Sequence, residues 1–271
     1  KSLRILFLAI LLFAFVLTPA RAQTPTPPPG VSLVLNSMTP EERVGQLFLV
    51  TFTGTDTSET SQIYTLITQY HIGGVVLTAG NDNFAAAPDT VAQAYSLVSG
   101  IQQIEWDVSR NSVTGEAGEA GVDSVYVPLF VGIAQEGNGH PTDQILSGLT
   151  PLPSEMAIGA TWNTELARRV GEVRGSELDA LGFNLYLGPS LDVLEVPAAR
   201  EAGNDLGTRV FGGDPFWVGE MGRAYVAGLH TGSENQLRVI AKHFPGVGGS
   251  DRLPEEEVST VRKSIEQLKQ I

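Results

Sequence analysis

Hydrophobic positions along the chain fall into runs of two kinds. Residues 47–53, 74–78, 125–133, 183–187 and 238–243 are rich in Val, Ile, Leu or Phe and lack polar alternation, the pattern of strands buried on both faces. Between them, residues 58–70, 88–106, 163–181 and 214–230 carry helical periodicity, and residues 256–270 repeat it after the last strand. Strand and helix in strict alternation predict parallel βαβ units, hence an α/β fold. Five such units fit an open doubly wound sheet or the first part of a (β/α)8 barrel, and periodicity does not decide between the two. Ahead of the first strand, Thr39 offers a hydroxyl N-cap, Pro40 a first helical residue, and Glu41 and Glu42 acids in the first turn. Val44, Leu47 and Phe48 then mark one helical face. Residues 107–123, rich in glycine and acids, are expected to form a surface loop.

The N-terminus breaks the alternation. Lys1 and Arg4 precede an apolar run at residues 5–17, too short for an ordinary membrane span, and Ala20-Arg21-Ala22 follows with small residues where a signal peptidase reads. Residues 1–22 are therefore expected to be a signal peptide, the alternative being an uncleaved anchor. Residues 23–30, QTPTPPPG, favour extended polyproline geometry and bury little, so residues 23–37 are expected to form a linker and residues 38–271 the folded domain. A chain that starts at Lys1 and not at Met reads as a fragment or a trimmed reading frame.

Composition narrows the chemistry. With 271 residues, 42% of them hydrophobic, the chain can bury a sizeable core. It has no cysteine, so thiolate metal sites and cysteine nucleophiles are excluded and any site is built from oxygen and imidazole groups. A formal net charge of −13 argues against sequence-independent nucleic-acid binding. No glycine-rich dinucleotide turn follows the first strand and no Gly-x-x-x-x-Gly-Lys occurs, so no nucleotide cofactor is expected. His71, His140, His230 and His243 show no paired ligand spacing, so no metal is expected either. His71 and His230 sit near helix ends, where they meet terminal carbonyls. Gly-x-Ser-x-Gly is absent, which removes a serine-hydrolase reading. Nothing in the sequence sets an oligomeric state.

Polar, glycine-bounded clusters stand just after the strands: Gln135-Glu136-Gly137, then the segment GPSLDV at residues 188–193, then Lys242-His243-Phe244-Pro245-Gly246. Strand C-terminal ends are where parallel α/β folds place chemistry. In order, MTPEERVGQLFLV, IGGVVL, QEG, ALGFNLYLGPSLDV, GTRVFGGDP and AKHFPGVGG resemble the N-terminal catalytic domain of glycoside hydrolase family 3. The resemblance implies a TIM-type (β/α)8 barrel, incomplete in this chain, that removes terminal β-linked sugars from a carbohydrate substrate with retention of configuration. Its KHFPG branch is dominated by β-N-acetylhexosaminidases.

By motif the resemblance assigns Arg209, Lys242 and His243 to the terminal sugar. Their types suit it, because a pyranose presents hydroxyls that are both donors and acceptors. Asp192, in the LDV segment, either accepts from those hydroxyls or is a buried carboxylate that shapes the site. Two plainer readings stand beside these: Lys242 and His243 as a solvated strand end, and Arg209 in a loop salt bridge to Asp205 or Asp214. His243-Phe244-Pro245 is a place for a cis Phe-Pro bond. Trp162 and Trp217 have the chemistry to stack on sugar rings, though at helix starts tryptophans more often pack.

Two departures from the family stand out. Ala134 occupies the place of a common aspartate before Gln-Glu-Gly, and the loop after Lys242-His243 carries no histidine for the branch's Asp-x-His acid/base dyad. Asp251 and Glu255 are the catalytic acid/base candidates in its stead, or Glu255 belongs to the acidic first turn of a helix. The nucleophilic carboxylate is expected beyond Ile271. The alternative function is a non-catalytic relative that binds glycan or protein on the same barrel.

Overall fold

The structure, a computed structural model, describes residues 28–111, 126–137, 139, 142–194, 206–250, 258, 260, 261 and 263–269. The expected signal peptide lies outside them. The chain divides into two compact units, Lys1–Asn36 and Ser37–Ile271. In the first, helix α1 (Pro29–Ser37) occupies the second half of the expected linker. Its proline stands at the first helical position, where the missing N–H costs nothing, and the apolar VSLVLN run continues the turn.

The second unit carries the alternation. It runs α2 (Pro40–Gly45), β1 (Leu49–Val50), α3 (Gln62–Tyr70), β2 (Gly74–Val76), α4 (Thr90–Asn111), β3 (Phe130–Ile133), α5 (Glu155–Gly159), α6 (Thr164–Ala180), β4 (Leu185–Ser190), α7 (Pro215–Gly232), β5 (Arg238–Lys242) and α8 (Ile265–Leu268), with short 3-10 turns at Ala79–Asn81 and Gly207–Arg209. All pairings are parallel and the sheet order is β1-β2-β3-β4-β5. A doubly wound sheet reverses its strand order at a switch point, whereas successive neighbours with crossovers of one hand are the order of a barrel. The sheet is not closed. Its end strands are exposed where both faces were expected to be buried: Leu49 on β1 and Ile240 on β5 are each 46% exposed.

Local chemistry explains where the elements depart from their expected bounds. Thr39 and Glu42 form the anticipated cap as a reciprocal capping box on α2. Leu47 and Phe48 then turn back onto the carbonyls of Val44 and Gly45, which shortens β1 to two residues. The start of β3 is delayed because both backbone groups of Leu129 bond the Gln102 amide instead of a neighbouring strand. Helix α3 begins late, where the Ser61 hydroxyl accepts from the Tyr64 amide. Helix α4 runs on to Asn111, so the beginning of the expected surface loop is helical, and residues 112–125 lie outside the described residues. Among the described residues of the expected helix 256–270, only α8 is helical, capped by Ser264 and Gln267. Helix α5 was not anticipated.

The core lies between sheet and helices. Ile63 and Ile67 of α3, Leu97, Val98 and Ile101 of α4, Leu178 of α6, and Met221, Tyr225 and Leu229 of α7 pack with Val75, Val131, Ile133 and Tyr186 of the strands. Outside it, Pro40, Val44, Phe48, Leu66, Tyr70 and Ile72 line an apolar groove of about 560 Å³ beside β1. Helices α6 and α7 touch through glycine: a Cβ added to Gly171 would stand 2.2 Å from the Tyr225 carbonyl oxygen, and one on Gly228 2.0 Å from that of Arg168. Backbone cannot yield as a side chain does. Gly228→Ala is therefore expected to force α6 and α7 apart and lower stability by about 3 kcal/mol, at the upper end of overpacking costs. Urea unfolding of the variant measures it, and an unchanged midpoint would mean that the helices are not so closely packed.

Candidate functional site

The clusters singled out in the sequence meet at the C-terminal ends of β3, β4 and β5. After β3, the buried Gln135 amide fastens the chain: its oxygen accepts from the Gln144 and Ile145 amides and its nitrogen donates to the Ile145 carbonyl. Asp143 accepts from the Gly137 and Gly139 amides, closing the same loop. Gly137 has φ +89°, a conformation that favours glycine, and an added Cβ would stand 2.8 Å from the Pro153 carbonyl oxygen. Tyr186 of β4 donates its phenolic hydrogen to the Gln135 carbonyl at 2.8 Å. The next residue, Glu136, is thus held rigidly.

Glu136 is the hub. Its side chain is 1% exposed, and it receives Arg209 Nε at 2.8 Å and Lys242 Nζ at 2.5 Å. Burying a carboxylate costs several kcal/mol unless cations and hydrogen bonds replace the lost water, and here two cations from separate elements converge on one anion. Arg209, on the 3-10 turn after β4, is therefore tied to Glu136 and not confined to a loop salt bridge. Asp214 caps α7 by accepting from the Trp217 amide, and Asp205 lies outside the described residues. Nor is Lys242 a solvated strand end. Of its three ammonium protons one faces Glu136, which leaves two to donate elsewhere.

Beside this hub, Asp192 organises His243. Asp192 is 1% exposed and accepts from His243 Nδ1 at 2.6 Å, the Val247 amide at 2.6 Å and Ser190 Oγ at 2.9 Å. Burial pushes its pKa up, but the hydrogen bonds from His243, Val247 and Ser190 outweigh burial and hold it below the ordinary aspartate value. An ionised carboxylate accepts only, so Nδ1 carries the hydrogen and Nε2 is the nitrogen left for a ligand. The buried-carboxylate role fits Asp192, because its contacts point inward. Behind it, Leu206, Val210 and Val247 form a small apolar cluster under the loops. The Phe244-Pro245 bond is cis, as anticipated, and the Lys242-His243 bond is cis as well.

Glu155, the first residue of α5, was missed in the sequence, which predicts no helix there. It is fully buried and accepts from the Ser190 amide at 3.2 Å. Burial first, and the charge of Glu136 second, raise its pKa well above the usual glutamate value. Glu136 was legible only as part of the Gln-Glu-Gly motif. Asp251 and Glu255, the acid/base candidates, and His140 lie outside the described residues. His71 caps α3 in the left-handed conformation, and His230 lies in the last turn of α7. Trp162 and Trp217 pack edge to face, ring centres 5.2 Å apart. No group of three acidic or histidine side chains among the described residues is arranged to hold a metal ion.

Residues 39–271 match the family model described as the glycosyl hydrolase family 3 N terminal domain. A curated relative, the β-N-acetylglucosaminidase/β-glucosidase of Cellulomonas fimi, is 30% identical over 238 residues, which are 88% of this chain and 35% of the relative. The solved structure of a family 3 β-N-acetylglucosaminidase from Paenibacillus sp. str. FPU-7 is 31% identical with a TM-score of 0.69, covering 86% of this chain and 38% of that one. A β-N-acetylhexosaminidase from Beutenbergia cavernae DSM 12333 is 26% identical with a TM-score of 0.61, covering 79% of this chain and 56% of that one. The chain spans about a third to a half of the curated relatives it matches. These likenesses agree with the strand order in identifying a TIM-like (β/α)8 fold, here with five parallel strands and no closure.

The Asp192 carboxylate makes a pH signature. Because its folded pKa is depressed, the stability it contributes is present above the unfolded value and is lost as pH falls through the folded one. Asp192→Asn is expected to cost about 2 kcal/mol or more at neutral pH, the scale of hydrogen bonds to a charged group. At acid pH, below the ordinary aspartate range, the deficit should shrink as the wild-type carboxyl protonates. Urea unfolding at both pH values checks this, and a deficit independent of pH would place the stabilisation elsewhere.

Proposed function

The chain belongs to glycosyl hydrolase family 3, and from that premise we propose that it forms the sugar-binding part of an exported enzyme that removes terminal β-linked N-acetylhexosamine. The observation that carries the reading is the convergence of Arg209 and Lys242 on Glu136, next to His243 on Asp192, at adjoining strand ends. The buried carboxylates fix three donor groups in place before any ligand arrives. A ring of sugar hydroxyls can accept from Arg209, from the remaining Lys242 protons and from His243, so the ordering cost of binding is already met by the fold. The names of the similar proteins favour N-acetylhexosamine, and that of the Cellulomonas fimi relative adds glucosides.

For hydrolysis, a retaining mechanism needs two carboxyl groups about 5–5.5 Å apart across the sugar. One protonates the leaving oxygen while the other attacks the anomeric carbon. Asp251 and Glu255 are our candidates for the acid, and we place the nucleophile beyond Ile271, on a strand that also continues the barrel. A non-catalytic, glycan- or protein-binding role is the second reading, favoured by Ala134 in the place of the family's aspartate and by a post-Lys242-His243 loop without histidine.

Assays of the full-length protein with aryl β-N-acetylglucosaminide and aryl β-glucoside separate the two readings. Turnover is expected on the first, and Lys242→Ala should lower kcat/KM roughly ten- to a hundredfold through loss of a charge-assisted hydrogen bond. Protein inert on both yet binding chitooligosaccharide would favour the non-catalytic reading. If Lys242→Ala retains normal kcat/KM, the site assignment fails.

Export is tested independently. N-terminal sequencing of secreted protein should begin at or near Gln23. Mature protein that retains Lys1 would contradict a cleaved signal.

A further inference from the structure

We propose that Glu155 is a positioning residue for the sugar site: from α5 it holds the amide of Ser190, and through the Ser190–Asp192–His243 chain of hydrogen bonds it fixes the imidazole of His243. The inference rests on the sugar-binding reading above for its functional consequence, but its geometry stands alone. The pairing of β4 with β5 shifts register between Leu187 and Ser190. Within that interval Pro189 has no N–H, and the Ser190 amide bonds the Glu155 carboxyl. A buried amide left unpaired is costly, so the side chain that meets it becomes part of the strand's end.

From that anchored residue the chain proceeds outward. Ser190 is fully buried, pairs in register with Lys242 and gives its hydroxyl hydrogen to Asp192. Leu191 donates to the Lys242 carbonyl at 2.6 Å, so the two strand ends are tied on either side of Ser190. Asp192 then receives His243. Helix α5 is itself fixed: a Cβ on Gly159 would stand 1.7 Å from the Phe211 carbonyl oxygen, two residues from Arg209. Glu155 thus reaches the site from a helix clamped against the loop that carries Arg209.

The groups around Glu155 come from every neighbouring element: Glu136 after β3, Lys242 at the end of β5, Arg209 on the 3-10 turn, Tyr186 on β4 and Tyr225 on α7, with Arg174 of α6 beside the two tyrosines. Burial and Glu136 both favour the uncharged carboxyl, against the smaller opposing effects of the Ser190 amide, Lys242 and Arg209. A neutral acid still accepts from an amide through its carbonyl oxygen, as a glutamine does. Glu155 is fully buried, so its effect is exerted through His243.

The test uses the full-length protein with Glu155→Gln and Glu155→Leu, reading the hydrogen that His243 Nδ1 shares with Asp192 by proton NMR, and kcat/KM on aryl β-N-acetylglucosaminide. Glu155→Gln should keep the resonance and stay within about threefold of wild type, because the acceptor is preserved. Glu155→Leu should shift or broaden the resonance and lose about tenfold in kcat/KM, mostly in KM, the scale of one lost hydrogen bond. Should the leucine variant fail to fold, Glu155→Asp, which falls short of the Ser190 amide, should give the leucine result. Equal losses in Gln and Leu variants, or an unmoved His243 resonance in the Leu or Asp variant, would overturn the proposal. If wild-type protein turns over no sugar, the functional reading fails while the resonance alone still decides the role of Glu155.

Discussion

A buried carboxylate that two cations must neutralise is the constraint around which this site is organised. Glu136 lies almost wholly out of water, and neither Arg209 nor Lys242 alone supplies its lost hydration. The chain therefore has to bring the end of β3, the turn after β4 and the end of β5 to one point. That is possible because the strands are sequential and parallel, which places their C-terminal ends side by side. Fold and site are in this sense one requirement.

A second carboxylate divides the work. Asp192 orients an imidazole, Glu136 holds two cations, and the assemblies join where Lys242 and His243 are neighbours in sequence. Ser190 stitches the assemblies together, bonded to Asp192 by its hydroxyl and lying in register with Lys242. A ligand recognised here needs many hydroxyl or carbonyl acceptors and no dense charge, which matches a neutral sugar more closely than a polyphosphate.

Much of this was legible in the sequence, for identifiable reasons. Apolar runs without alternation marked the strands, and the hydroxyl-proline-acid pattern at Thr39 marked a capped helix, because both signals are local. The order of the strands was not local: periodicity left the doubly wound sheet open, the family resemblance implied the barrel, and the pairing bears the barrel out. Strand starts were misplaced where a distant side chain intervened, as Gln102 does at Leu129. At the site, motifs pointed to Arg209, Lys242, His243 and Asp192 but not to Glu136 as the carboxylate that Arg209 meets, since the two are distant in sequence. Glu155 carried no signal at all. It lies between the strand predicted at 125–133 and the helix predicted at 163–181, where no element was expected.

The central claim is that Arg209, Lys242 and His243, pre-set by Glu136 and Asp192, receive the terminal sugar. A crystal structure of the full-length protein with bound N-acetylglucosamine tests it most directly. The account predicts sugar hydroxyls within hydrogen-bond distance of all three side chains, with the Glu136 and Asp192 pairings intact. A sugar seated elsewhere, or bound only after those pairings break, would contradict it.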